Sequence, residues 1–264
     1  MTEAIATSKT RRVYLTLRER ITSGELTPGT RLPSEPELAA FHDVSRVTIR
    51  RALAEIEREG LISRRPGAGT FVTSRMVKRP IVADLSNALA HLAEMGKATG
   101  VRLLQFGYVE PTAEVAEALR IDTSERVQRS VRLRIADEEP FSYLVTHVPS
   151  RIGVTYTETE LASLPLLTLI ERTGTKVDRA TQTVTATLAR PDVAEALGVE
   201  IGTPLLSLTR VVFDVRGRGI EHLTALYRPD RYSFQMDLVR IDAGGDRLWS
   251  PADRAGAASM ATAD

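Results

Sequence analysis

Arginines at two spacings give this chain its candidate chemistry. Arg46, Thr48, Arg50 and Arg51 follow Ser45 closely, while Ile49, Leu53 and Ile56 recur at helical spacing on the opposite, core-facing stripe. Guanidiniums near the start of a capped helix suit the major groove of duplex DNA, where arginine grips guanine through two parallel hydrogen bonds. A second basic stretch, Arg64-Arg65-Pro66-Gly67-Ala68-Gly69, joins charge to Gly67 and Gly69, which let a backbone approach phosphate or a minor groove. Taken alone, that stretch also fits an ordinary solvated hairpin. Far downstream, Arg132 and Arg134 stand two apart in a β-rich run, so both point to one face and suit a carboxylate or phosphate. The alternative there is a pair of surface or salt-bridged arginines.

Other chemistries find little support. The chain has no cysteine, which excludes disulfides and thiolate catalysis and is compatible with a reducing cytoplasm. His42, His91, His147 and His222 are scattered without metal-ligand spacing. Gly67-Ala68-Gly69 lacks the strand-then-helix frame of a dinucleotide site, and no serine elbow is present. No catalytic residue, metal or cofactor is therefore expected.

The elements that must position the first arginines are legible. Ser34-Glu35-Pro36-Glu37 reads as a capping box that opens a short helix through Leu38, Ala39 and Phe41. His42-Asp43-Val44 makes the turn, Ser45 caps a second helix over residues 46–59, and Gly60 stops it. Val13, Leu17 and Ile21 mark an earlier helix ending at Gly24, and residues 26–32, with Pro28-Gly29, turn the chain. Residues 61–63 and 70–72 read as two short strands with the basic, glycine-bearing segment as their tip. Geometry divides the roles: Arg46, Thr48 and Arg50 for base edges and backbone, and Arg51, Arg64 and Arg65 for phosphate. Ser45 serves as cap and phosphate donor, while Arg31 and Ser34 pass the duplex backbone. Glu55, Glu57 and Glu59 should point away from DNA, and His42 is structural or near phosphate.

Charge agrees with this division. Residues 1–79 carry +6 and residues 80–264 carry −5, a basic head on an acidic body. Residues 74–80, with Arg75, Lys78, Arg79 and Pro80, read as a linker. No apolar run is long enough to span a bilayer, and residues 1–10 lack the apolar stretch of a secretory signal, so a cytoplasmic protein is expected.

The body, residues 81–242, repeats itself. Val115-Ala116-Glu117-Ala118-Leu119 recurs as Val193-Ala194-Glu195-Ala196-Leu197. Each copy leads to a β-rich run (127–136, 205–215), a polar turn, a returning strand (141–148, 220–227) and a Pro-x-Arg. Two copies of helix, strand, turn, strand predict a mostly antiparallel sheet with helices against it, an α+β domain. Further strands are expected over 101–109 and 175–188, with helices over 84–94 and 166–172. Residues 243–264, small and alanine-rich with a lone Trp249, read as a mobile tail.

These motifs carry a resemblance. Pro28-Gly29-Thr30-Arg31-Leu32-Pro33-Ser34-Glu35, Val44-Ser45-Arg46-Val47-Thr48-Ile49-Arg50, Glu59-Gly60-Leu61-Ile62 and Gly67-Ala68-Gly69-Thr70-Phe71-Val72 resemble, in order and spacing, the winged helix-turn-helix of GntR-family transcriptional regulators, over residues 11–73. Pro36 departs from the pattern, standing where many relatives carry a DNA-contacting arginine. Gly202-Thr203-Pro204-Leu205-Leu206, Leu208-Thr209-Arg210, Glu221 and Pro229-Asp230-Arg231-Tyr232 with Phe234 resemble the UTRA effector domain of the HutC subgroup, which is similar in fold to chorismate lyase. The resemblance implies an anionic effector on Arg132 and Arg134, with Glu221 and Tyr227 lining the pocket. Leu144 and Pro165 stand where some sugar-phosphate-binding relatives place glutamate and serine, which leaves the ligand class open.

The expected function is a transcriptional regulator, a repressor, acting as a homodimer on a near-palindromic double-stranded DNA operator under the control of a small anionic metabolite. The alternative is a chorismate-lyase-like enzyme with a DNA-binding head, which predicts turnover of a carboxylated substrate.

Overall fold

The computed structural model describes residues 9–73, 81–84, 99–243 and 246–251, in two compact units, residues 1–79 and 80–264. In the first unit, helices α1 (Lys9–Thr22), α2 (Glu35–His42) and α3 (Arg46–Arg58) precede a hairpin of β1 (Ile62–Arg65) and β2 (Gly69–Val72). The capping box forms. The Ser34 hydroxyl accepts from the Glu37 N–H at 3.4 Å, and the Glu37 carboxylate accepts from the Ser34 N–H at 2.7 Å. Those hydrogen bonds hold the Glu37 carboxyl below its ordinary value. Asp43, left-handed at φ 50°, ends α2 and redirects the chain. The Ser45 side chain then accepts from the Thr48 N–H at 3.2 Å to start α3. Val13, Leu17, Leu38, Ile49, Leu53 and Ile56 bury together, so each helix presents its apolar stripe to one small core.

The wing differs from expectation in one respect. Arg64 pairs with Thr70 and Arg65 with Gly69, so both arginines lie within β1, and only residues 66–68 form the tip. The ladder extends because both strands offer regular backbone partners up to the turn that Ala68 closes by donating to the Arg65 carbonyl at 3.0 Å.

In the second unit the chain runs β3 (Ile81–Asp84), β4 (Gly100–Val109), α4 (Ala113–Leu119), β5 (Val127–Ala136), β6 (Glu139–Pro149), α5 (Ser150–Gly153), α6 (Glu158–Ser163) and α7 (Leu166–Arg172). It continues with β7 (Val177–Leu188), α8 (Pro191–Leu197), β8 (Pro204–Asp214), β9 (Gly219–Tyr227), β10 (Tyr232–Gln235), β11 (Leu238–Ala243) and β12 (Asp246–Pro251). Six strands form one antiparallel sheet in the order β4-β5-β6-β9-β8-β7, so the two repeats meet where β6 pairs with β9. The equivalent helices α4 and α8 cover one face; α8 buries Val193, Ala194 and Leu197 against Val131, Leu133 and Leu205. The opposite face is covered at one end by α5, α6 and α7, through Ile152, Leu161 and Ile170. At the other end it is covered by β10, which pairs in parallel with β3 and packs Tyr232 against Tyr227 and Leu144.

The expected mobile tail is corrected in part. Residues 246–251 form β12, paired with β11 so that Arg240 faces Trp249, its guanidinium 5.8 Å from the ring centroid. Leu238 and Val239 on one side and Leu248 and Trp249 on the other supply strand-forming side chains, and the intervening sequence Gly244-Gly245 is a hairpin signal. Residues 252–264, the linker 74–80, His91 and the helix expected over 84–94, save Asp84 at the end of β3, lie outside the described residues. Among the described residues no helix is long and apolar enough to cross a membrane.

Candidate DNA-reading surface and effector cluster

Helix α3 presents Arg46, Arg50 and Arg51 to solvent, opposite the buried Ile49, Ala52, Leu53 and Ile56. Thr48 is half-buried, and its hydroxyl stands 2.9 Å from the Ser45 hydroxyl, inside the cap. Arg50 is not loose: its Nη2 and Nε donate to Glu35 Oε2 at 3.1 and 3.3 Å, which raises the guanidinium's pKa. The first residue of α2 thus orients a side chain of α3. Among the described residues, no hydrogen bond or ion pair engages Arg46 or Arg51. The Ser34 hydroxyl donates to Glu37 at 2.7 Å, so it serves the cap first.

The wing arginines are more constrained than the sequence suggested. Arg64 Nε lies 3.3 Å from Glu57 Oε2, and its Nη2 donates to the Arg50 carbonyl at 3.4 Å, tying wing to helix. Arg65 lies over the Phe71 ring, 4.7 Å from its centroid. Arg31 packs against Gly69; a Cβ there would stand 2.9 Å from Arg31 Nε, and φ +110° adds a conformation that favours glycine. Arg31, Arg64, Arg65, Gly67 and Gly69 line an open concavity of about 460 Å³. The acidic end of α3 is spoken for: Glu59 accepts from Tyr14 and from Arg18 Nε at 2.9 Å. Burial first, and then Glu59, pushes the Tyr14 hydroxyl up to about 12. His42, half-buried edge-on to Phe41, has its pKa lowered chiefly by burial.

The second site is a polar cluster on the sheet face covered by α5–α7 and β10. Alternation along β5 sends Gln128, Ser130, Arg132 and Arg134 to this face, and register adds Ser142 and Thr146 from β6. Glu221 and Tyr227 come from β9, and Arg210 from β8. All are buried, Arg132 at 5% exposure, Arg134 at 6% and Arg210 at 3%. Among the described residues, three guanidiniums on this face meet one carboxylate. Burial pulls Arg132 down from 12.5 to about 10, with Glu221 opposing and Arg134 reinforcing the fall. Burial likewise lowers Arg134, and raises Glu221 against the pull of Arg210 and Arg132. Tyr227, stacked on Tyr232 at 4.0 Å, is also raised by burial. Some polar atoms are satisfied: Arg134 Nη1 donates to Thr99 at 2.9 Å, Ser130 and Thr146 share a 2.5 Å hydrogen bond, and Tyr156 donates to Gln128 at 2.8 Å. Others are buried with no hydrogen-bond partner among the described residues: Arg132 Nε, Arg210 Nη1, Gln128 Nε2 and Ser142 Oγ. Three of those four atoms are donors only, so among the described residues the face offers more donors than acceptors. An oxyanion supplies what it lacks.

All four expected effector residues thus share one face. Arg210 joins them on this face without being among the expected residues, although the repeat announces its position. It follows Arg132 by the same 78 positions that separate Val193 from Val115, and the duplication places the two arginines in equivalent strands. An open concavity of about 620 Å³ lined by Tyr108, Glu125, Arg126, Ser150, Arg151 and Val154 shares no residue with the cluster, although Tyr108 pairs in register with Gln128.

A winged helix-turn-helix unit followed by a duplicated α+β unit with a buried cationic face defines a class of regulator. Residues 9–72 match the gntR family of bacterial regulatory proteins, and residues 94–233 match the UTRA domain. The chain belongs to the GntR family, with a UTRA effector domain consistent with the HutC-like subgroup. It is 31% identical over 226 residues to the HTH-type transcriptional repressor NagR of Bacillus subtilis (strain 168), covering 85% of this chain and 92% of that protein. It is 30% identical over 241 residues to the HTH-type transcriptional regulator Rv0792c of Mycobacterium tuberculosis, covering 86% and 85%. Among solved structures, PhnF from Mycobacterium smegmatis is 26% identical with a TM-score of 0.54, covering 84% of this chain and 97% of that one.

Proposed function

We propose that this protein is a sequence-specific DNA-binding repressor of the cytoplasm whose grip on its operator is set by a small anionic metabolite. A homodimer would place two α3 helices in successive major grooves of a near-palindromic site, Arg46, Thr48 and Arg50 toward base edges. Arg31, Arg51, Arg64 and Arg65, with Ser34, Ser45 and the Gly67 and Gly69 backbone, would lie along phosphate. In the body, Arg132, Arg134 and Arg210 would hold the metabolite's acid group, and Glu221 and Tyr227 its remaining polar atoms. The reading is carried by a buried cationic face within the body, with an exposed, capped arginine helix within the head. The relative NagR is named a repressor, which agrees with the direction proposed. Because a ligand that binds only the native state raises its apparent stability, thermal-shift screening of small anionic metabolites on the full chain finds the effector. The expected outcome is a compound that both raises the unfolding temperature and changes the operator shift. Stabilising anions that never alter operator binding would break the proposed coupling.

A further inference from the structure

Helix α3 turns an apolar side chain outward among its arginines. Val47 is 56% exposed and joins no part of the head's buried cluster. Leu15 and Phe41 are also exposed in the head, but on α1 and α2. The buried residues of α3, Ile49, Ala52, Leu53 and Ile56, define its inward stripe. At about 100° per residue, Val47 points about 170° away from the centre of that stripe, against about 110° for Arg50 and about 70° for Arg46. Within the first turn, Val47 therefore faces most squarely outward.

Helix stability does not ask for valine there. Val47 is the second residue of α3, and a β-branched side chain has a lower helix propensity than alanine or leucine. The macrodipole at that end favours a carboxylate, and the first turn of α3 carries none. Phosphate does not explain the residue either, since an alkyl group offers it no hydrogen bond and no charge. An alkyl group does match the one methyl group of the major groove, at C5 of thymine. The other groups by which that groove is read donate or accept hydrogen bonds.

We propose that Val47 reads a thymine methyl in each operator half-site. The inference rests on the proposal that α3 enters the major groove, and it names a base that the groove must hold. The helix also fixes where that base lies. Val47 and Arg50 are three residues apart, about 4.5 Å along the axis, and base pairs repeat at about 3.4 Å. The thymine thus stands within one or two base pairs of the guanine taken by Arg50. An isopropyl group makes no hydrogen bond, so Val47 tells thymine from uracil by the methyl alone.

Deoxyuridine supplies the test, because it differs from thymidine only in lacking that methyl. An operator is selected from random duplexes by the full-length wild type. It is then resynthesised with deoxyuridine at one thymine position at a time, both half-sites altered alike. Losing the burial of one methyl should weaken wild-type binding by about fourfold per half-site, and so by roughly fifteenfold for the symmetric pair. The loss should fall within two base pairs of a guanine whose replacement Arg50→Ala no longer feels. Val47→Ala removes two methyls from a position the core does not use, so its circular dichroism should match the wild type. It should bind the thymine and deoxyuridine operators alike. Wild-type binding indifferent to every deoxyuridine would overturn the inference. So would a Val47→Ala protein that keeps the wild-type loss, since the methyl would then act through another side chain or through the stiffness of the duplex. Selection that enriches no sequence would refute base reading by α3 as a whole, and this inference with it.

Discussion

Arg132→Met is predicted to make the ligand-free protein more stable while removing its response to effector. Arg132 is a buried guanidinium whose pKa falls from 12.5 to about 10 because burial penalises the charge, more than Glu221 relieves it. At about 1.4 kcal/mol for each tenfold change, the charged form is disfavoured in the fold by about 3 kcal/mol. The sign is fixed by the depressed folded value: the penalty acts in full below about pH 10, and so throughout the neutral range. Methionine keeps the length of the stem and removes the charge. Glu221 then loses one of its two cations, but its carboxyl, already raised by burial, limits that cost by taking up a proton. Replacing a buried charge with an apolar side chain of similar size should therefore gain on the order of 1–3 kcal/mol. For a body of this size each kcal/mol moves Tm by about 2–4 °C, so the variant should unfold several degrees higher. Scanning calorimetry of both proteins, with and without the stabilising metabolite, measures this. A ligand-free Arg132→Met that unfolds several degrees lower would show the guanidinium to be a structural member of the core, not a charge held there at a cost.

Three further outcomes are expected. Ser45→Ala removes the cap of α3 and should cost about 1 kcal/mol in urea unfolding. Operator affinity should drop further than that loss alone explains, because the first turn carries the proposed reading residues. Gly219→Ala puts a Cβ 2.5 Å from the Leu119 backbone, so α4 must shift, and a loss of about 1–3 kcal/mol is expected in the same assay. His147 and His222 lie side by side across β6 and β9, ring centroids 5.9 Å apart, and burial brings His147 down to about 4 and lowers His222. Both are held neutral, so their contribution is complete above the ordinary histidine value and is lost as pH falls from there toward about 4. His147→Phe should flatten that acid limb of the stability profile; an unchanged limb would show that the pair does not set it.

Much of the fold was legible because local patterns carried it. The capping box at Ser34 and the cap at Ser45 open the two helices, and the 78-residue repeat marked the four central strands of the sheet with the helices α4 and α8. The parallel pairing of Ile81–Asp84 with Tyr232–Gln235 was not legible, since strands some 150 positions apart in sequence leave no local sign of each other. The wing arginines were placed in a tip because a basic glycine-bearing run looks like a turn, whereas ladder pairing carries Arg64 and Arg65 into β1. The β11–β12 hairpin was hidden by the alanine-rich composition of residues 252–264, which borders it. At the effector cluster, two-residue alternation revealed Arg132 and Arg134, but Ser130, Thr146 and Gln128 needed the neighbouring strands to give them meaning. Arg210 needed only the repeat to be applied to function as well as fold.

In the proposed reading, Arg50, oriented by Glu35, is the side chain of α3 that reads bases. Operator binding of wild type and Arg50→Ala, titrated against salt and against non-operator DNA, decides that role. The preference for operator over non-operator DNA should fall by about tenfold or more in the variant while non-specific binding persists. An Arg50→Ala protein with undiminished preference for its operator would contradict it.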